Sequence, residues 1–166
     1  MNATMMLSEP ASTDDGWMLA LNNSHAVETS DLTTVQLRTL IAGSFRTRVV
    51  RPDRAMCIAF DQTATYSSPN FVWFQRRLER FVYVDRIIVA DHSRGGGLAR
   101  ALYADLTEAA RSAGHDRLCC EVNTHPANPA SEAFHEALGF VEAGTAHLPE
   151  RGKSVRYLVR DLQVAG

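Results

Sequence analysis

Two hydrophobic rhythms run through this chain. Phe81–Ala90 (FVYVDRIIVA) is β-branched, aromatic and apolar almost throughout, which predicts a strand buried on both faces. Leu98, Ala101, Leu102, Leu106, Ala109, Ala110 and Ala113 instead recur at helical spacing. They predict a helix over 98–113, with Gly114 as its C-terminal cap. Trp17–Leu21, Met56–Phe60 and Leu118–Asn123 are short apolar runs that read as strands. Ser30 or Asp31 can cap a helix carrying Leu32, Val35, Leu37, Leu40 and Ile41, ended or interrupted at Gly43. The stretch 61–70, rich in Asp, Thr, Ser and Pro, reads as a loop. Asn128, with Pro129 at the first helical position, opens a short helix that ends at Gly139. Phe140–Leu148 and Val155–Leu162 read as two strands joined by PERGKS, with Gly152 at the tip. Residues 1–14 are small and polar and predict a mobile tail, and 15–166 predict one domain. This order of elements is that of an α/β protein with a mixed sheet.

Composition narrows the function. The 166 residues are 45% hydrophobic and 22% charged, as in an ordinary globular domain. Seventeen Lys and Arg stand against nineteen Asp and Glu, a net charge of −2. That balance argues against a nucleic-acid partner, which calls for a basic excess or stripe. No apolar run approaches the ~20 residues that span a bilayer. The opening MNATMMLSEPASTDDG has neither a basic n-region nor an apolar h-region, so no secretory signal is expected. The three cysteines, an odd number, suit a reducing compartment, and the cytoplasm is the expected location.

Two segments carry chemistry. The first is RGGGLA, residues 94–99, between the buried strand and the amphipathic helix. Glycines let backbone approach a ligand closely. A loop that opens straight into a helix aims free N–H groups and the positive end of the dipole at one spot, a ready phosphate site. Arg94 adds charge. The loop is neither a Walker A motif, since no Gly-Lys-Ser/Thr follows, nor the dinucleotide fingerprint, whose spacing it fails. The second is NPASEAFHEALGF, residues 128–140. Asn128, Ser131 and His135 share one helix face beside an apolar face of Ala130, Phe134 and Leu138. Such paired stripes suit a long ligand with polar and apolar parts.

Together these segments resemble the GNAT superfamily of N-acetyltransferases. Arg94, Gly97 and Ala99 fit its Arg/Gln-x-x-Gly-x-Gly/Ala loop, and Asn128–Phe140 fits its Asn-led helix ending in Gly-Phe. The second helix, with His135 before Glu136, is similar to that of phosphinothricin-type acetyltransferases. The resemblance is specific over 80–140 and weaker, by order of elements, from Trp17 to Leu162. It implies the GNAT fold: a mixed sheet splayed between two central parallel strands, with helices on both faces. It implies acetyl-CoA, or another acyl-CoA, as cosubstrate, held by Arg94, Gly95, Gly96, Gly97, Leu98 and Ala99 at the pyrophosphate. Asn128, Ser131 and Phe134 would lie along the pantetheine, and backbone N–H groups near Ile88 or Val89 would polarise the carbonyl. Homodimers are frequent in the family. One departure is that His135 stands where many members have the Tyr that protonates the leaving thiolate.

Direct transfer to a primary amine also needs a base, because a simple amine titrates near ~10. Asp85, Glu121 and His135 are the candidates. Asp85 lies within an apolar strand, where a charge must be paired or working. An Asp85–Arg86 surface pair is the plain alternative, although strand neighbours point to opposite faces. Glu121 would sit near the acceptor, and an ion pair is equally open to it. His135 could be an acid or a cofactor contact. Tyr66, Asn70, Phe71 and Trp73 are candidates for the acceptor pocket, with Asn22, Asn23 and Glu28 on the same side, and Phe74 reads as core. Cys119 and Cys120 read as small hydrophobes rather than nucleophiles. The six histidines lack close metal-ligand spacing, so no metal is expected. The acceptor would be a small-molecule or peptide amine. The alternative function is a non-catalytic domain that binds or senses acyl-CoA.

Overall fold

A computed structural model describes residues 6–27 and 29–163. Seven strands form one sheet: β1 (Leu7–Ser8), β2 (Arg46–Val50), β3 (Ala55–Asp61), β4 (Phe81–Val89), β5 (Arg117–His125), β6 (Val141–Leu148) and β7 (Lys153–Asp161). Their order across the sheet is β1-β2-β3-β4-β5-β7-β6. Every neighbouring pair is antiparallel except β4 and β5, which run parallel. Among the described residues, five α-helices complete the fold: α1 (Asp15–Asn23), α2 (Thr34–Gly43), α3 (Pro69–Gln75), α4 (Leu98–Ser112) and α5 (Pro129–Ala137).

Each face of the sheet has its own core. On one, Leu98, Leu102, Leu106 and Ala110 of α4 pack on Val82 and Val84 of β4 and on Leu118, Cys120 and Val122 of β5. On the other, Met18 and Leu21 of α1, Leu37 of α2, and Phe71 and Phe74 of α3 cover Phe81, Tyr83, Ile88 and Tyr157. Burying a side chain of this size contributes about 1.5–3 kcal/mol, so α4 and α3 clamp the two central strands from opposite sides. Cys119 and Cys120 fall on opposite faces, both buried and both free thiols.

Several expectations change. Trp17–Leu21 is helix, not strand. Asp15, Met18 and Asn22 recur at helical spacing and are all buried, so the segment turns one stripe inward. The helix expected from Ser30 or Asp31 starts at Thr34, and its cap is Thr33, whose hydroxyl accepts from the Gln36 backbone while the Gln36 side chain accepts from the Thr33 N–H. The tail expected over 1–14 is held from Leu7 onward. Leu7 and Ser8 pair with Val50 and Val49, and buried Asp14 forms an ion pair with Arg51 at 2.6 Å; residues 1–5 lie outside the described chain. The loop expected over 61–70 gives way at Pro69 to α3, with Pro at the first helical position. β2 went unpredicted, because its two arginines break the apolar run; Arg46 reaches over to Asp105 of α4 with two 2.7 Å bonds.

Candidate active site

The parallel pair β4–β5 keeps register for only three residues: Phe81 opposite Arg117, Val82 opposite Leu118, and Tyr83 opposite Cys119. Beyond Tyr83 the strands diverge, and a cleft of about 420 Å³ opens between them. Its walls come from Val84–Val89 of β4 and Cys120–Asn123 of β5. The β4 edge facing β5 has no strand partner here, so alternate backbone N–H and C=O groups, including those around Ile88 and Val89, meet the cleft.

A bulge aids the opening. Ile58 of β3 pairs with Arg86, but the next residue, Ala59, pairs with Val84, leaving Asp85 as the extra residue. The extra residue breaks the usual alternation. Asp85 and Arg86 therefore meet, Arg86 Nε donating to Asp85 Oδ2 at 2.8 Å, with both side chains about 95% buried. The pair expected from sequence as a surface contact is an interior one. Tyr66 donates to Asp85 Oδ1 at 2.8 Å, and Arg86 donates to Asn22 Oδ1 at 2.8 Å. Both Asp85 oxygens are thus engaged.

Glu121 sits on the facing wall. Its Oε1 accepts from Asn70 Nδ2 at 3.0 Å, and its Oε2 accepts from Tyr83 at 2.7 Å. Asn70 is oriented by Tyr157, whose hydroxyl donates to Asn70 Oδ1 at 2.9 Å. Burial pushes the Glu121 carboxyl up to about 7; the Tyr83 and Asn70 hydrogen bonds hold it from going higher, while the charge of Asp85 pushes the same way as burial. This carboxyl is thereby poised near neutrality.

His135 is buried at 5% exposure, not a solvated side chain. Its Nδ1 donates to the Ser131 carbonyl at 2.7 Å, which leaves Nε2 to accept from Tyr103 at 2.6 Å. Burial lowers its pKa and favours this neutral form. Tyr103, on α4, was not singled out from sequence; its ring lines the cleft, and burial raises its hydroxyl well above the ordinary range.

At the far end of the cleft lies the glycine loop. Gly95 and Gly97 have φ of +81° and +80°, conformations that favour glycine, and Gly97 is the N-cap of α4 with no side chain capping it. The first-turn N–H groups of α4 lack helical partners, and the space beside the loop is open: a Cβ built at Gly95 or Gly97 meets no atom within 4 Å. Arg94 is exposed and paired with Asp91 at 3.0 Å, close to His25 of the α1–α2 loop at 3.4 Å. Leu98 turns into the core, and Ala99 lines the cleft. Asn128 caps α5 through the Ser131 N–H, and with Ser131 and Phe134 it forms the α5 side of the cleft.

The expected acceptor residues separate into different roles. Phe71 is fully buried among aromatic rings, so it is core and not pocket lining. Trp73 stacks on Tyr157 at 4.2 Å beneath Arg77, outside the cleft wall. Tyr66 and Asn70 reach the site indirectly, through Asp85 and Glu121. Asn22 is buried behind Arg86, Asn23 pins Leu32 through its backbone, and Glu28 lies outside the described residues. His25 and Thr29, which line the cleft, carried no sequence signal. Among the described residues, no three His, Cys, Asp or Glu gather as a metal site, and no helix is long and apolar enough to cross a membrane.

A seven-strand mixed sheet, split beside a glycine-rich helix start, defines an acyltransferase-type fold. The sequence model of the acetyltransferase (GNAT) family matches residues 52–140, more than half the chain. The chain belongs to the GNAT acetyltransferase family. No curated protein matches it. Among solved structures, it is similar to the ribosomal-protein-S18-alanine N-acetyltransferase from Escherichia coli, with 17% identity, TM-score 0.67, and 97% of this chain and 96% of that one covered. It is similar to yncA from Salmonella typhimurium, solved with its cofactor acetyl-CoA, at 17% identity and TM-score 0.70, over 99% and 97% of the chains. It also resembles a protein assigned as a phosphinothricin N-acetyltransferase, at 19% identity and TM-score 0.69, over 96% and 99%.

Proposed function

We propose that this chain transfers an acetyl group from acetyl-CoA to a primary amine by direct attack, with Glu121 as the base. The observation that carries the reading is the Glu121 carboxyl, raised to about 7 and held by Asn70 and Tyr83 on the wall of the β4–β5 cleft. The residues present fit the cosubstrate. The uncapped, open start of α4 at 94–99 can hold a pyrophosphate, and Asn128, Ser131 and Phe134 offer mixed polar and apolar surface for a pantetheine arm. Acetyl-CoA would supply an activated thioester there.

The chain's own part is proton management and alignment. An ammonium titrating near ~10 must lose a proton before it can attack. Glu121 is half in its basic form at neutral pH, and each of its oxygens keeps a lone pair for the amine or a water. Asp85 is the weaker candidate, because it is committed to a buried ion pair with Arg86, whereas Glu121 meets only the neutral donors Asn70 and Tyr83. His135 has no proton on Nε2, so its part is to orient Tyr103 rather than to act as the acid. A coenzyme A thiolate needs little help to leave, since thiols titrate near ~8.5. The described chain acts as one domain, and its three buried free thiols suit the cytoplasm.

The test is turnover: acetyl-CoA with a panel of small amines, amino acids and peptide N-termini, following release of free thiol. Glu121→Gln should lower kcat/KM at least about 100-fold on any accepted amine, the lower end of the range for losing a general base. Tight acetyl-CoA binding without turnover on any amine would instead favour a sensing domain.

A further inference from the structure

A second depression, of about 550 Å³, lies along α4 where it flanks β7. It is separate from the cleft, sharing with it only Tyr103, whose ring stands between them. Arg100, Thr107 and Arg111 line it, and their spacing of seven and four puts them on one stripe of α4. Arg160 reaches in from β7 and donates to Thr107 Oγ1 at 3.4 Å, and it lines the same hollow as Arg111, one helical turn beyond Thr107.

Elsewhere the arginines are mostly neutralised, as Arg46 is by Asp105, Arg51 by Asp14 and Arg86 by Asp85. Here they are not. Arg111 Nε donates to the Leu162 carbonyl at 3.0 Å, and among the described residues none of Arg100, Arg111 and Arg160 pairs with a carboxylate. Glu108 lines the same wall without an ion pair. Three positive charges against one negative therefore gather in one hollow of a chain whose net charge is −2. Tyr103, Ala104 and Leu138 add apolar surface.

We propose that this groove is a second binding site, for a small phosphate-bearing anion held by Arg111, Arg160 and the Thr107 hydroxyl. Guanidinium forks match phosphate oxygens in pairs. The volume is that of a small-ligand site, and the overall negative charge disfavours a nucleic acid. The proposal is independent of the acetyl-transfer reading.

Inorganic pyrophosphate is the probe, titrated calorimetrically in physiological salt against the Gly97→Asp variant, whose phosphate loop is blocked. One saturable site is expected. Arg160→Gln and Arg111→Gln should each weaken it at least tenfold with the circular dichroism spectrum unchanged, while the exposed Arg76→Gln should leave it as it was. If Gly97→Asp does not fold, the wild-type titration must resolve two sites, one of them abolished by Arg160→Gln. Absence of saturable binding, or equal affinity in Arg160→Gln, overturns the proposal.

Discussion

At the scale of the residue, the site turns on how one carboxyl is held. Tyr83 donates to Glu121 and keeps its pKa from rising further under burial. Tyr83→Phe removes that donor, so the acid limb of kcat/KM should shift from near pH 7 to higher pH while the Glu121→Gln variant shows no such limb. A limb that stays in place in Tyr83→Phe would mean that another group titrates. Glu121 was legible as a charged residue within an apolar strand, but not that it meets neutral donors where Asp85 meets Arg86. That difference arises because Asp85 is the bulged residue of β4, and a bulge leaves no mark on residue type. The same bulge turns Arg86 toward Asp85, against the alternation a regular strand obeys. His135 was legible as part of the polar face of its helix, but not its hydrogen bond to buried Tyr103, thirty-two positions away.

At the scale of the element, the long signals were legible and the short ones were not. β4, α4 and α5 each have a pattern sustained over nine or more residues, and their predicted and observed bounds nearly coincide, while the shorter run Leu118–Asn123 marks the middle of β5. The loop 94–99 followed from them, since it is what joins a buried strand to an amphipathic helix. α1 was misread because five apolar residues cannot distinguish a strand from a helix, and the stripe that decides it includes the polar Asp15 and Asn22. α3 hid behind its aromatic content, which favours strand by propensity; tertiary packing on Tyr83 and Tyr157 overrides it. Trp73 of α3 crosses over Gly144 of β6, where an added Cβ would sit 2.6 Å from Cζ2 of the indole. Gly144→Ala should therefore destabilise the fold by about 1–3 kcal/mol, as overpacking does, with a shift in tryptophan emission. Thermal denaturation checks it; an unchanged melting temperature would mean that α3 adjusts freely.

At the scale of the whole molecule, stability and function pull apart with pH. Asp14 ties the N-terminal segment to Arg51, and that hydrogen-bonded partner holds its carboxyl at about 2, below the ordinary 3.8. A lowered pKa stabilises the fold above the ordinary value, and the gain is lost as pH falls toward 2. Glu121 works in the opposite sense. Its folded pKa of about 7 exceeds the ordinary 4.5, so the native state binds the extra proton between these values, and stability falls as pH rises from 4.5 to 7. Glu121→Gln should thus raise the melting temperature at pH 8 but hardly at pH 4. Asp14→Asn should lower it at pH 7 and lose that difference near pH 2. A Glu121→Gln variant no more stable than wild type at pH 8 would contradict the burial assigned to this carboxyl.

The sheet as a whole exists to split. α4 and α3 clamp β4 and β5 where they pair, and the bulge at Asp85 lets them part where the glycine loop and Glu121 face one space. Calorimetric titration of acetyl-CoA into the wild-type chain and into Gly97→Asp tests that arrangement most directly. The account predicts one site of micromolar affinity in the wild type, and no measurable binding once a carboxylate stands at the start of α4. Equal binding by both proteins, or none by the wild type, would contradict it.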